Sequence, residues 1–247
     1  MGAWAIRLCI SALLLALIFT FVPFAEVWAA ARRISLPLWF GALALFLAGH
    51  AAAAAKWRIL IGSGISYRQA FRAHLAGLAA NLALPSVAGG DVVRAGLVMK
   101  HADDKARLAM GSVADRLIDT LGLALLALAS AWLAWGPRLE SGIWLGWPLL
   151  GLLLVVAGAV VAAPALDRSM STSEPSGKLG RVMTKMMHSA AELARSPVLL
   201  FLCLAISMAV QCLFVGINVA FAETAHVEAP IAAWFFAWTT AKIIAIA

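Results

Sequence analysis

Residues Val198 to Ala222 read VLLFLCLAISMAVQCLFVGINVAFA, and none of these 25 positions holds an acidic or basic side chain. An α-helix rises about 1.5 Å per residue, so about 20 such residues cover the hydrocarbon core of a bilayer. The block is continuously apolar instead of alternating, which excludes a barrel strand. In lipid the backbone must satisfy its own hydrogen bonds, so the block is read as a spanning helix. Outward from it, Leu8 to Phe24, Leu36 to Ala55, Ser112 to Trp135, Ile143 to Ala163 and Ile231 to Ala247 are also almost free of charge. The expected fold is therefore all-α, a polytopic membrane helix bundle of about six spans. Composition agrees, with 64% apolar and 13% charged residues against about 25% charged in soluble domains.

These blocks and their connectors consume the chain and leave no room for a soluble catalytic domain. The net charge of +7 is dispersed among apolar spans, so cytoplasmic loops and anionic headgroups explain it, not nucleic acid. Cys9, Cys203 and Cys212 fall inside spans and read as buried thiols. The stretch after Arg7, ending in Ala25-Glu26-Val27-Trp28-Ala29, has some features of a signal peptide. It is longer than a usual signal core and more spans follow it, so it is read as a retained first helix.

Lys and Arg collect between the second and third spans (residues 56–111) and between the fourth and fifth (164–196). The alternate connectors are nearly neutral or acidic: one holds Arg138 and Glu140, the other Glu223, His226 and Glu228. Positive-inside places the N-terminus, 56–111 and 164–196 in the cytoplasm. Arg32 and Arg33 break this pattern and are assigned to a short interfacial helix. Residues 164–196 read as a polar linker around Ser169 to Gly177, followed by a basic surface helix from Lys178 to Arg195. Trp4, Trp28, Trp39, Trp57, Trp135, Trp144 and Trp147 lie near span ends, as interfacial belts do.

Residues 66–119 are neither an ordinary loop nor an ordinary span. Ala73 to Leu84 is a mostly apolar dozen, too short to cross, and Pro85 stops it. The chain then turns through Ser86-Val87-Ala88-Gly89-Gly90-Asp91 and is expected to resume as a helix from Val92. A short apolar helix, a Pro/Gly break and a returning helix describe a re-entrant hairpin over about residues 73–100, lining a cavity open to the cytoplasm. Gly89 and Gly90 allow positive φ and exposed amides. Asp91 is placed as the N-cap of the returning helix, and Arg94 in its first turn offers a planar fork. Spacing alone supports two readings equally: Gly89, Gly90 and Arg94 bind a lipid phosphate, or the glycines are only a tight turn and Arg94 snorkels.

Asp115 and Asp119 share a helix face, with Arg116 about 100° round from Asp115. Ionisable residues entering an apolar helix are functional candidates. Arg94, Arg58 or each other are the expected partners; an ion pair closing the hairpin and proton coupling both remain open. Lys242 is an intramembrane charge. With no polar tail behind it, the last span reads as cut before its natural end. His50 and His74 read as satisfied packing residues, and Gln211 and Asn218 as bonds between helices. No nucleophile elbow, P-loop, zinc or dinucleotide motif is present, so neither metal nor cofactor is expected.

Lys56-Trp57-Arg58-Ile59-Leu60, then Asn81-Leu82-Ala83-Leu84-Pro85 with Gly89-Gly90-Asp91-Val92-Val93-Arg94, then Asp115-Arg116 with Asp119-Thr120-Leu121-Gly122, together resemble one family. It is the lysylphosphatidylglycerol synthase transmembrane region family, or flippase-like domain family. The resemblance spans about residues 5–247, with its specific content in 56–122. It implies a bacterial or archaeal cytoplasmic-membrane protein that translocates or handles polar lipids. In the best-known members this domain flips aminoacylated phosphatidylglycerol made by an attached synthase domain. No such domain is seen in this chain, so lysyl transfer is not implied. Members usually continue into a second Gly-rich hairpin after a segment like Ala241 to Ala247, which supports the expectation of a truncated end.

The expected function is a flippase-like transporter, one domain over 1–247, receiving an anionic lipid headgroup at the hairpin. Gly89, Gly90 and Arg94 bind phosphate, while Asn81, Pro85, Asp91, Asp115, Arg116 and Asp119 hold or gate the hairpin. Membrane lipids and a lipid-modifying enzyme are the expected partners. The rival readings are a membrane-embedded enzyme or subunit of polar-lipid, isoprenoid-lipid or aminoacyl-phosphatidylglycerol metabolism, with Asp91, Asp115 or Asp119 as base, and a scaffold in which the hairpin is purely structural.

Overall fold

The computed structural model describes residues 23–62, 64–83, 87–135, 160–169 and 177–246, with scattered positions between 13 and 20 and between 150 and 158. Among the described residues the architecture is all-helical: α1 (Phe24–Arg33), α2 (Leu36–Ile61), α3 (Tyr67–Ala83), α4 (Val87–Val98), α5 (Lys105–Trp135), α6 (Gly177–Ala194), α7 (Pro197–Thr224) and α8 (Ile231–Ile246). By length and composition α2, α5 and α7 can cross a membrane, and α8 is a shorter apolar helix. The expected spans over Leu8–Phe24 and Ile143–Ala163 lie mostly outside the described residues.

The helix ends follow from the sequence. Ser35 caps α2 by accepting from the Leu38 amide, 3.4 Å away, with Pro37 in the first turn. Gly62 ends it at φ 88°, a conformation that needs no Cβ. Ser66 and Gln69 form a reciprocal capping box at the start of α3, the Ser66 amide donating to Gln69 Oε1 at 2.8 Å. Asp104 caps α5 by accepting from the amides of Ala106 and Arg107. Hence α5 begins at Lys105, not at Ser112 as hydropathy placed it, because capping sets the start and the apolar run does not.

Between α2 and α5, Trp57, Ile61, Ile65, Ala70 and Leu108 form a buried cluster. A second cluster joins Leu60, Ile118, Leu193 and Cys203 across α2, α5, α6 and α7. The outer faces stay apolar, with Phe40, Leu133, Val198 and Phe201 more than two-thirds exposed, as a lipid-facing surface requires. Helix α1 buries none of its residues. It carries Glu26 in its first turn and Arg32 and Arg33 in its last, matching its dipole.

Several local expectations change. Trp57 is not in a belt: it is fully buried, and its Nε1 donates to Ser112 Oγ at 3.1 Å. Cys203 is buried but Cys212 is exposed. Asn218 bonds within its own helix, to the Phe214 carbonyl at 2.7 Å, because an i−4 carbonyl is in reach. Residues 160–169 are helical, so helix continues beyond Ala163 to Ser169. Helix α6 packs on the bundle by burying Ser189, Ala191 and Leu193, and Arg107 Nη1 reaches Glu192 Oε2 at 2.8 Å.

Candidate functional site

Helices α3 and α4, 17 and 12 residues long, pack as an antiparallel pair: Gly77 faces Gly90, and His74 faces Arg94. The bend between them, including Pro85, lies outside the described residues. Helix α4 starts at Val87, earlier than the expected Val92. Gly89, Gly90 and Asp91 therefore sit within the helix, and neither glycine is among the positive-φ residues. Asp91 is correspondingly not an N-cap. The role of Gly90 is close approach. A Cβ there would overlap Asn81 Oδ1 and the Gly77 carbonyl, and the Gly90 amide already donates to Asn81 Oδ1 at 2.9 Å. The sequence misled because Pro/Gly clusters signal turns, whereas here the glycine pair lets two helix backbones touch.

Asp91, from the second arm, faces α5, where Asp115, Arg116 and Asp119 project, and Asn81, from the first, lines the same cavity. With α5 starting at Lys105, Asp115 lies ten residues in, or about 15 Å along the axis at 1.5 Å per residue. It is not at the helix start. Arg94 Nη2 contacts Asp115 Oδ2 at 3.0 Å and Asp91 Oδ1 at 3.2 Å. Arg116 grips Asp91 with both Nε and Nη2. Lys56, from α2, bridges Asp115 and Asp119, and Ser207 of α7 donates to Asp119 at 2.5 Å. Lys56 Nζ is 3.0 Å from Asp115 Oδ1 but off its hydrogen-bonding direction, so that oxygen has charge contact without a directed bond. Desolvating isolated ions costs several kcal/mol each, and close pairing offsets it.

The network is extended by imidazoles and an aromatic face. The Arg94 guanidinium lies 4.3 Å from the Trp57 ring centroid. Arg94 Nη1 is 3.5 Å from His74 Nδ1, and His74 Nε2 is 3.1 Å from His50 Nδ1. A guanidinium only donates, so His74 Nδ1 accepts, His74 Nε2 carries its proton and His50 Nδ1 accepts it. Arg94 Nε, by contrast, is buried without a hydrogen-bond partner among the described residues.

On the far side stands Lys242 of α8. Its Nζ donates to Gln211 Oε1 at 3.2 Å and lies over the Trp238 ring at 4.6 Å. Trp238 Nε1 donates to the same Gln211 oxygen at 3.0 Å, the interhelical bond expected of Gln211. All these charges line one cavity of about 300 Å³. Gly90 and Asn81 line it too. Among the described residues no group of His, Cys, Asp or Glu is arranged to hold a metal. Such a cavity is suited to a charged polar group.

The sequence reading thus named Asp91, Arg94, Asp115, Arg116 and Asp119, and these side chains converge. Arg58 does not join them; its Nε donates to the Ile65 carbonyl at 2.8 Å. Lys56 was missed as the hub because it was counted as a loop cation. Its position, five residues inside the end of α2, was the signal available. His50 and His74 were read as packing residues without the link to Arg94.

The sequence model of one family, described as Lysylphosphatidylglycerol synthase TM region, matches residues 4–247. No curated protein and no solved structure matches the chain.

Proposed function

The chain belongs to the lysylphosphatidylglycerol synthase transmembrane region family and is an integral membrane protein, and from that premise we propose that it moves an anionic phospholipid between leaflets. The headgroup enters the cavity between the α3–α4 pair, α2 and α5, while the acyl chains stay in the bilayer. The pair acts as a re-entrant hairpin opening to the cytoplasm, the side on which the exposed cations Arg68, Arg72, Lys100 and Lys105 fall. The protein belongs, in this reading, to a bacterial or archaeal cytoplasmic membrane.

The observation carrying the reading is Arg94. It lines the cavity, one edge is anchored by two aspartates, and its buried Nε has no hydrogen-bond partner among the described residues. A phosphate oxygen supplies the missing acceptor once the Arg94 side chain shifts to expose that edge to the cavity. The Gly90 amide is taken by Asn81, so phosphate binding rests on Arg94 and not on that amide. Asp91, Asp115, Arg116 and Asp119 hold the hairpin in place.

The test is a leaflet-resolved assay in proteoliposomes, with fluorescent anionic and zwitterionic phospholipids and dithionite quenching. The purified chain should accelerate exchange of the anionic lipid, and Arg94→Ala should slow it. Exchange equal to that in protein-free liposomes refutes the proposal.

A further inference from the structure

We propose that Lys242 receives the negative charge of the headgroup and so sets its charge class: one net negative charge, carried by a phosphodiester. This rests on the headgroup reading above. Among the described residues three carboxylates line the cavity, Asp91, Asp115 and Asp119. Each is in direct contact with at least one of Arg116, Arg94 and Lys56. Three anions against three cations leave that part of the network neutral.

Among the described residues Lys242 is the fourth cation lining the cavity, and it forms no ion pair with a carboxylate there. Its contacts are a neutral amide oxygen, Gln211 Oε1, and the faces of Trp238 and Phe214 at 4.6 and 5.5 Å. Aromatic faces steady an ammonium without neutralising it. An ammonium has three N–H donors, and Gln211 takes one. The two non-bridging oxygens of a phosphodiester match the remaining two. Lys242 also sits eleven residues inside α8, about 17 Å from its start, where an unpaired charge is costly and marks function. One bound monoanion makes the cavity neutral. A dianionic phosphomonoester overshoots, and a zwitterionic headgroup brings in a second cation.

The same chemistry is offered by free phosphate, so the experiment separates the two sources. Purified protein in phosphatidylcholine nanodiscs is titrated with fluorescent phosphatidylglycerol, with unlabelled phosphatidylglycerol or inorganic phosphate as competitor. Wild type should bind phosphatidylglycerol more tightly than fluorescent phosphatidylcholine. Gln211→Glu builds an internal counter-ion beside Lys242 while keeping an acceptor for Trp238, so binding should weaken about tenfold or more with thermal stability retained. Lys242→Met should weaken it similarly, and Lys242→Arg should not. Wild-type affinity in Gln211→Glu or Lys242→Met overturns this proposal and leaves the transport reading standing. No preference for phosphatidylglycerol in wild type overturns both. Equal displacement by inorganic phosphate at matched concentration assigns the site to the free ion and overturns the lipid assignment.

Discussion

The Lys56 ammonium lies 3.0 Å from Asp115 Oδ1, with both side chains almost wholly buried, at 2% and 4% exposure. The two residues come from different helices, α2 and α5, and Lys56 also holds Asp119. One lysine therefore compensates two carboxylates inside apolar surroundings.

Removing that lysine leaves two buried acids short of a cation. Lys56→Met should destabilise the protein by about 3–5 kcal/mol, the usual cost of breaking a buried pair on one side. Adding Asp119→Asn should recover much of the loss, because it leaves Asp91 and Asp115 facing Arg94 and Arg116 in equal number. Thermal unfolding in detergent, followed by size-exclusion fluorescence, measures both. A single variant as stable as wild type refutes the hub role of Lys56.

Glycine positions separate contact from conformation. Gly90→Ala places a Cβ against Asn81 and the Gly77 carbonyl and should cost about 1–3 kcal/mol through overpacking. Gly96→Ala, in the same helix, meets nothing within 4 Å. It should stabilise by about 0.4–1 kcal/mol by restricting the unfolded chain. The opposite signs are the check; a neutral Gly90→Ala would mean the arms do not touch there.

Arg94 uses its shape as well as its charge. Arg94→Lys keeps the charge but loses the fork and the stacking on Trp57, so anionic-lipid affinity should fall partly. Arg94→Ala should lower it by about 1.5–3 kcal/mol, the worth of a hydrogen bond to a charged group. Full substitution by Lys would return Arg94 to a snorkelling role.

The α3–α4 pair should begin and end on one side of the membrane. Single cysteines at Arg68 and His101, with Cys9, Cys203 and Cys212 replaced, are both expected to resist an impermeant thiol reagent in intact cells. Both should react after lysis. Labelling of only one before lysis would make the pair a crossing segment.

Hydropathy made α2, α5 and α7 readable, because a bilayer demands long apolar runs whatever the tertiary structure. Motif spacing marked Arg94, Asp115 and Asp119, because charges within apolar helices are rare. What stayed hidden depends on through-space pairing. Lys56 looks like any loop-proximal lysine until α2 is set against α5. Gly90 carries a turn signature that only the neighbouring Gly77 and Asn81 convert into a packing contact. Lys56 and Arg94, which fall within 56–111, are buried in the network and add nothing to the positive-inside signal, although Arg58, Arg68, Arg72, Lys100, Lys105 and Arg107 still give it the same sign.

Helix α4 meets α5 mainly through Arg94–Asp115 and Asp91–Arg116, with its apolar packing directed largely to α3. Its attachment to the rest of the bundle thus follows the local dielectric. A pair attracts about four times more weakly in bulk water than at an effective dielectric of about 20, whereas hydrocarbon contacts gain nothing from drying and lose nothing from salt. How much water the cavity admits therefore governs how firmly α4 is clasped.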